Sequence, residues 1–231
     1  MRSDEAIVLA GGFGTRLRTL VSEVPKPMAP VAGRPFLEWI LRRLEREGMR
    51  RVVLATGYMA EKIEQVFGGR FGDLELVHSV ETQPLGTGGA IALAAEHVGD
   101  FGVHVINGDT YLDYTLTELE ALAREHGSIG MALARVDDVC RYGAVGLEGA
   151  HVRRFHEKGA MGPGWINAGC YYLPDETLRA LPAGSFSFES DVLAPRAEAG
   201  LVVGMTDTDG FIDIGVPEDY LRSQSLFGAE P

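Results

Sequence analysis

The sequence predicts an α/β fold: a Rossmann-like mixed sheet, mostly parallel and flanked by helices, carrying a β-rich second part. Three observations predict it. In the first half, short apolar runs alternate with longer amphipathic segments. Two of those runs stop at Gly11-Gly12 and at Asn107-Gly108-Asp109, where a buried strand gives way to a loop. In the second half, strand-like runs follow one another with few helices between them. Strands joined through helices imply right-handed crossovers and a mostly parallel sheet.

Ala6–Ala10 (AIVLA) is a buried-strand run. Phe36–Glu47 sets Phe36, Ile40, Leu41 and Leu44 on one face at helical spacing, and Gly48 closes the helix. Arg51–Ala55 reads as a strand, Met59–Phe67 as a helix, Leu74–Val77 as a strand, Thr87–His97 as a helix and Val103–Ile106 as a buried strand. Beyond them Ile129–Arg135, Ala144–Leu147, Val152–His156 and Ile166–Leu173 read as strands. Leu178–Leu181 is a short helical piece, and Phe188–Ala199 a longer helix interrupted by Pro195. Leu201–Met205 and Phe211–Ile214 are strands, and Pro217–Phe227 is a closing helix with proline at its start. No linker, low-complexity stretch or internal repeat divides the chain, so residues 1–231 read as one domain.

Composition narrows the function. A chain of 231 residues buries a full core. Its 21 basic and 33 acidic residues give a net charge of −12, which argues against a nucleic-acid partner, since that needs a basic face to displace counterions. A few local cations and backbone N–H groups can still hold phosphates inside an acidic protein. Cys140 and Cys170 are too few and too far apart for a disulfide framework or a zinc site, and the six histidines show no metal-ligand spacing. No signal peptide is visible, and the apolar runs are too short to span a bilayer. A soluble cytoplasmic protein without a membrane partner is expected.

The chemistry concentrates in loops. Leu9-Ala10-Gly11-Gly12-Phe13-Gly14-Thr15-Arg16-Leu17 follows the first strand directly. In an open α/β sheet ligands sit beyond the carboxyl ends of the strands, and glycines there let the backbone approach phosphate oxygens. A glycine-rich turn alone is more often a plain connection. It is not a Walker A loop, and Leu17 takes the place of the third glycine of a dinucleotide fingerprint. Arg16 inside the loop and Val24-Pro25-Lys26-Pro27-Met28 close behind it tip the balance, because the two prolines clamp Lys26 in extended backbone. Asp109 ends one buried strand and Asp213 lies near the end of another apolar run. Together they suit Mg²⁺, although either alone reads as readily as a turn or capping residue. Glu157-Lys158 reads equally as a solvated charge pair.

GGFGTRL followed by PKPM resembles the signature of the sugar-1-phosphate nucleotidyltransferases. PLGTGGA at Pro84–Ala90, NGD at Asn107–Asp109, RYG at Arg141–Gly143, EKG at Glu157–Gly159, NAG at Asn167–Gly169 and FIDIGVPEDY at Phe211–Tyr220 follow in that family's order. The resemblance thus runs almost the whole length of the chain. It implies the nucleotide-diphospho-sugar transferase fold, with residues 1–115 mainly nucleotide-binding and 116–231 mainly sugar-binding and closing elements. By the same resemblance Leu9, Ala10, Gly11, Gly12, Gly14 and Thr15, with Pro84, Gly86, Thr87 and Gly88, would hold the nucleotide. Arg16 would hold the departing pyrophosphate, Lys26 the α-phosphate, and Asp109 and Asp213 the Mg²⁺. Lys158 would take the phosphate of a sugar 1-phosphate, Glu157 the sugar hydroxyls, and Gly108, Tyr142, Gly143, Asn167 and Gly169 would complete the sugar pocket. The implied reaction is direct displacement at the α-phosphorus, which needs alignment and charge neutralisation rather than a protein nucleophile.

Within the family, VSEVPKPMAPVAGRPFLEW and FIDIGVPEDY resemble most the branch that guanylylates D-glycero-α-D-manno-heptose 1-phosphate for surface glycans. GTP and that heptose 1-phosphate are the implied substrates, and since the sequence stops soon after FIDIGVPEDY, an acyltransferase or allosteric activity on an appended segment is not expected. Mannose 1-phosphate with GTP, a hexose 1-phosphate with UTP or dTTP, and an inactive nucleotide-sugar-binding relative stay open, as does a homodimer. Glu81 bears on the base. A carboxylate accepts from the adjacent N1–H and N2 amine of guanine, whereas uracil and thymine offer one donor flanked by acceptors. The alternative is that Glu81 is a solvated loop residue and Gln83 reads the base.

Overall fold

The structure, a computed structural model, describes residues 2–12 and 24–228. Strand β1 (Glu5–Leu9) opens it, and a 3-10 turn at Lys26–Met28 leads into a small hairpin of β2 (Pro30–Val31) and β3 (Arg34–Pro35). There follow α1 (Phe36–Arg46), β4 (Arg51–Thr56), α2 (Ala60–Phe67), β5 (Arg70–Phe71), β6 (Leu74–Val80), α3 (Gly86–Ala94) and β7 (Val103–Asn107). Next come β8 (Thr110–Asp113), α4 (Leu116–His126), β9 (Ile129–Val136), β10 (Val145–Glu148), β11 (His151–Phe155) and β12 (Gly164–Leu173). The chain finishes with α5 (Asp175–Arg179), a π turn at Glu189–Leu193 that runs into α6 (Ala194–Glu198), then β13 (Val202–Met205), β14 (Asp209–Asp213) and α7 (Pro217–Phe227).

Ten strands form one sheet in the order β10-β11-β13-β9-β12-β7-β1-β4-β6-β5. Strands β7, β1, β4 and β6 pair in parallel, as do β9 and β13, while β12 runs antiparallel between β7 and β9. Only β5, β11 and β12 oppose the common direction, so the sheet is mixed and mostly parallel, as the sequence predicts. Alternation along β1 divides the core. Ala6 and Val8 face α1, α2, α4 and α7, and Ile7 faces α3, α5 and α6. Covering both faces is what makes these strands apolar throughout. No helix among the described residues is long and apolar enough to cross a membrane.

Two local expectations are corrected, and two elements are added to those read from the sequence. Helix α4 and strand β8 were not foreseen. In α4, Leu116, Leu119 and Ala123 point into the core, and the helix stops at Gly127, whose φ of 57° is left-handed. The short helix after β12 is Asp175–Arg179 rather than Leu178–Leu181, because it starts straight after Pro174. The interruption at Pro195 is absent. The preceding turn widens into a π turn, which gives the pyrrolidine ring the room that a regular α turn denies, and α6 continues through it.

Beneath α4 lies a buried carboxylate. Both oxygens of Glu120 accept from the Ser3 N–H, at 3.0 and 3.1 Å, and Arg124 Nε donates at 2.7 Å. Burial alone would raise its pKa; the nearby His104 imidazole, Arg124 and the Ser3 N–H outweigh burial and hold it below the usual 4.5. A depressed carboxylate stabilises the fold above the unfolded-state pKa, and the stabilisation is lost as pH falls through the folded one. Glu120→Gln should therefore cost about 1–3 kcal/mol at pH 7. Denaturant unfolding should show that gap narrowing once the pH drops below 4.5; a gap of equal size at both pH values would remove the ionic contribution.

Candidate active site

The parallel strands β1, β4, β6 and β7 end on one side of the sheet, and their exit loops are tied together. Ala10 N donates to Ala55 O at 2.7 Å, Glu81 N to Thr56 O at 2.9 Å and Gly108 N to Leu9 O at 2.9 Å. A Cβ on Gly108 would lie 2.7 Å from Leu9 O, so only glycine lets the exit of β7 press against β1. Above these loops is a cleft of about 280 Å³. Of the expected nucleotide residues, Leu9, Gly11, Gly12, Lys26, Glu81, Pro84, Gly86, Thr87 and Asp109 line it. Ala10 is buried beneath, and Gly88 does not line the cleft, because it packs against the Phe186 ring. Gly14, Thr15 and Arg16 lie outside the described residues. Pro27, Ala55, Ala90 and Asn107 also line the cleft.

At the cleft wall three charges meet. Strand β14 pairs with β8 so that Asp213 lies opposite Thr110, and Ile214 N donates to Asp109 O at 3.0 Å. The two carboxylates thereby become neighbours. Lys26 Nζ donates to Asp109 Oδ2 and stands 3.6 Å from Asp213 Oδ1. Pro25 is extended, with φ −63° and ψ 152°, and aims the lysine at them. Helix α7 fixes the segment that carries Lys26: Tyr220 OH and Gln224 Nε2 both donate to Pro30 O, at 2.8 and 2.9 Å. The ammonium passes over Gly215, where a Cβ would lie 2.1 Å from Nζ. Burial raises the Asp213 carboxyl above its usual value; Lys26 opposes the shift, and the Asp109 charge reinforces it.

This donor set fits a hard divalent cation. One cation already reaches both carboxylates, and no third His, Cys, Asp or Glu joins them among the described residues. A divalent ion would take two protein oxygens and complete its shell with substrate phosphates.

The expected sugar residues fall into two groups. Gly108, Asn167 and Gly169 surround the Asn107–Asp109 turn. Asn167 Oδ1 accepts from Gly169 N at 3.0 Å, Thr110 Oγ1 donates to Ala168 O at 3.0 Å, and a Cβ on Gly169 would sit 2.3 Å from Asn107 Nδ2. Tyr142 does not line the cleft but a second pocket beside β14: its ring meets Phe211 edge-on at 5.7 Å, and its hydroxyl donates to Asp219 Oδ2 at 3.2 Å. Burial first, then the charges of Asp219 and Asp213, raise the phenol's pKa, so it stays a donor. Glu157 and Lys158 sit on an exposed turn and do not line the cleft. That turn is docked on the turn that bears Tyr142, with Gly159 N donating to Cys140 O at 3.0 Å and Gly143 close under His156 O.

The arrangement has counterparts. The family model for nucleotidyl transferases matches residues 5–228. The chain is 40% identical to the D-glycero-α-D-manno-heptose 1-phosphate guanylyltransferase of Aneurinibacillus thermoaerophilus, covering 95% of this chain and 96% of that one. It is 38% identical to the enzyme of the same name from Campylobacter jejuni, covering 94% and 96%. The crystal structure of HddC from Yersinia pseudotuberculosis complexed with GMP-PN superposes with a TM-score of 0.85 at 36% identity, covering 96% of this chain and 99% of that one. The chain belongs to the nucleotidyl transferase family.

In this nucleotidyl transferase Glu81 is half-buried at the cleft, whereas Gln83 is exposed and does not line it. Its Oε2 accepts from Leu85 N at 3.0 Å. A Cβ on Gly57 would lie 2.5 Å from Oε1, and one on Gly11 3.0 Å away, so the two glycines form a slot for the carboxylate. Gly57 was missed by motif reading, and Gly215 sits within FIDIGVPEDY without an assigned role; the one signal for Gly57 was that it follows a strand, as Gly11 does. Asp109→Asn and Asp213→Asn should each fold like the wild type yet lose nucleotidyl transfer about a hundredfold or more, the scale for losing charge compensation in a transition state. Circular dichroism and pyrophosphate release would check both, and full turnover by either variant would remove that carboxylate from the site.

Proposed function

We propose that this chain transfers GMP from GTP onto D-glycero-α-D-manno-heptose 1-phosphate, releasing pyrophosphate and giving GDP-heptose, with Mg²⁺ as its metal. The observation that carries this reading is a single cleft holding both the Glu81 carboxylate and the Lys26–Asp109 pair, in a chain aligned nearly end to end with two heptose 1-phosphate guanylyltransferases.

The sugar-phosphate oxygen attacks the α-phosphorus while the bond to the β-phosphate oxygen breaks in line. That oxygen is already anionic, so no serine, cysteine or histidine nucleophile is required. Bound Mg²⁺ supplies charge neutralisation for the triphosphate. Lys26 turns its ammonium from Asp109 to the α-phosphate, a short movement because Nζ already stands at the cleft wall. Arg16 takes the pyrophosphate, Lys158 the sugar phosphate and Glu157 the sugar hydroxyls. Tyr142, kept protonated, offers a hydroxyl beside β14. Glu81 reads the base, since each of its oxygens keeps a lone pair beyond the bond to Leu85 N, and guanine has two adjacent donors to meet them.

A panel of nucleoside triphosphates and sugar 1-phosphates, followed by pyrophosphate release, should give the highest kcat/KM for GTP with the heptose 1-phosphate. Mannose 1-phosphate, or UTP and dTTP with a hexose 1-phosphate, leading that panel would reassign the substrate. Glu81→Gln should lose about 1–3 kcal/mol of the preference for GTP, the scale of an unmade charged hydrogen bond; an unaltered nucleotide ranking would hand base reading to another residue. The cations should separate as well. Lys158→Ala should chiefly raise KM for the sugar 1-phosphate, Arg16→Ala should chiefly impair the triphosphate, and Lys26→Ala should depress kcat most. Equal effects of all three on both KM values would refute the assignment by segment.

A further inference from the structure

The loop that lines one side of the cleft, Pro84–Thr87, is held from behind by a segment of the second half of the chain. Phe186 N donates to Leu85 O at 3.0 Å, and Gly88 N donates to Phe186 O at 3.1 Å. The glycines of PLGTGGA face this segment. A Cβ on Gly86 would lie 2.5 Å from Phe186 O, one on Gly88 2.1 Å from the Phe186 ring, and one on Gly89 2.3 Å from Gly184 O. Their missing side chains therefore make room for residues 184–186. The Thr87 hydroxyl is committed too. It accepts from Phe188 N at 2.9 Å and donates to Glu189 Oε2 at 2.6 Å, and the same oxygen receives Ser187 Oγ at 3.1 Å. With its one proton spent on Glu189, that hydroxyl has none to donate to a nucleotide.

The brace stands one peptide from the base-reading carboxylate. Leu85 uses its N–H to cap Glu81 Oε2 and its C=O to accept from Phe186. Displacing Phe186 therefore moves Leu85, and Leu85 moves Glu81. The brace itself is anchored in the core: Phe188 is fully buried, meets the Tyr171 ring edge-on at 5.2 Å, and Asp191 Oδ2 caps Ser187 N at 2.8 Å.

We propose that Glu189 is a positioning residue for nucleotide recognition, acting through Thr87 and the Phe186–Leu85 bracket to hold Glu81 in the orientation that selects the base. It rests on the reading that this cleft holds the nucleotide. Glu189→Ala and Thr87→Val should each weaken binding of a non-hydrolysable GTP analogue about tenfold, the scale of one charged hydrogen bond. Both should also flatten the discrimination between GTP and UTP while sparing KM for the sugar 1-phosphate. Glu189→Gln, which keeps an acceptor oxygen, should restore affinity and discrimination. The double variant should lose less than the sum of the two single losses, because both break the Thr87–Glu189 contact. Calorimetric titration below the melting temperature of every variant reads these effects. Losses spread evenly over both substrates and kcat, additive losses in the double variant, or failure of Glu189→Gln to rescue would make Glu189 merely structural and overturn the proposal. A wild type that prefers UTP or dTTP would sink the guanine assignment alone, with the brace then scored on the preferred triphosphate. A wild type that binds no triphosphate would overturn both.

Discussion

Asp213 sits opposite Thr110 in the β14–β8 ladder, and Asp109 immediately precedes Thr110. Two carboxylates from distant parts of the chain are thus forced together at the edge of a cleft, and burial already disfavours the charged form of one of them. Some cation has to stand between them, and Lys26 does so. The rest of the site follows from that requirement. Gly215 is bare because the lysine passes over it, Pro25 is extended because the lysine must point inward, and α7 clasps Pro30 because the lysine's segment must not drift.

Close approach is the second constraint, and it explains why loops rich in glycine surround the cleft. Gly108 lets two strand exits touch, Gly57 and Gly11 admit the Glu81 carboxylate, and Gly86, Gly88 and Gly89 admit a segment from the other half of the chain. Only Gly11, Gly12 and Gly86 among the described glycines also line the cleft. A glycine-rich motif in such a protein is as much a packing device as a phosphate cradle.

That double use decides what the sequence can reveal. The strands of the parallel run were legible because burial on both faces makes Ile7 and Val8 equally apolar, and the loops of the cleft follow from where those runs stop. Helix α4 was obscured by its charged exposed face, although Leu116, Leu119 and Ala123 keep helical spacing, and β8 by its length of four residues. Motifs identified most of the cleft wall, since residues adjacent in sequence there are also adjacent in space. The roles of Gly57, Gly215 and Glu189 were hidden for the opposite reason. Each matters only through a side chain or loop that arrives from far along the chain, and no local pattern records that arrival.

The charge balance fits the same logic. A chain of net charge −12 repels a triphosphate at long range, yet long-range repulsion is screened beyond roughly 8–10 Å at physiological salt. Inside the cleft the local balance governs. Among the described residues the Lys26 ammonium faces two carboxylates, one of them poorly solvated, so this part of the wall is short of positive charge rather than rich in it. A bare triphosphate would add to that deficit. A divalent cation held by Asp109 and Asp213 would offset that deficit and leave the Lys26 ammonium to a phosphate. Two carboxylates beside one ammonium, among the described residues, suit a metal-bound nucleotide better than a bare one, and a net negative chain is compatible with a phosphate-handling enzyme.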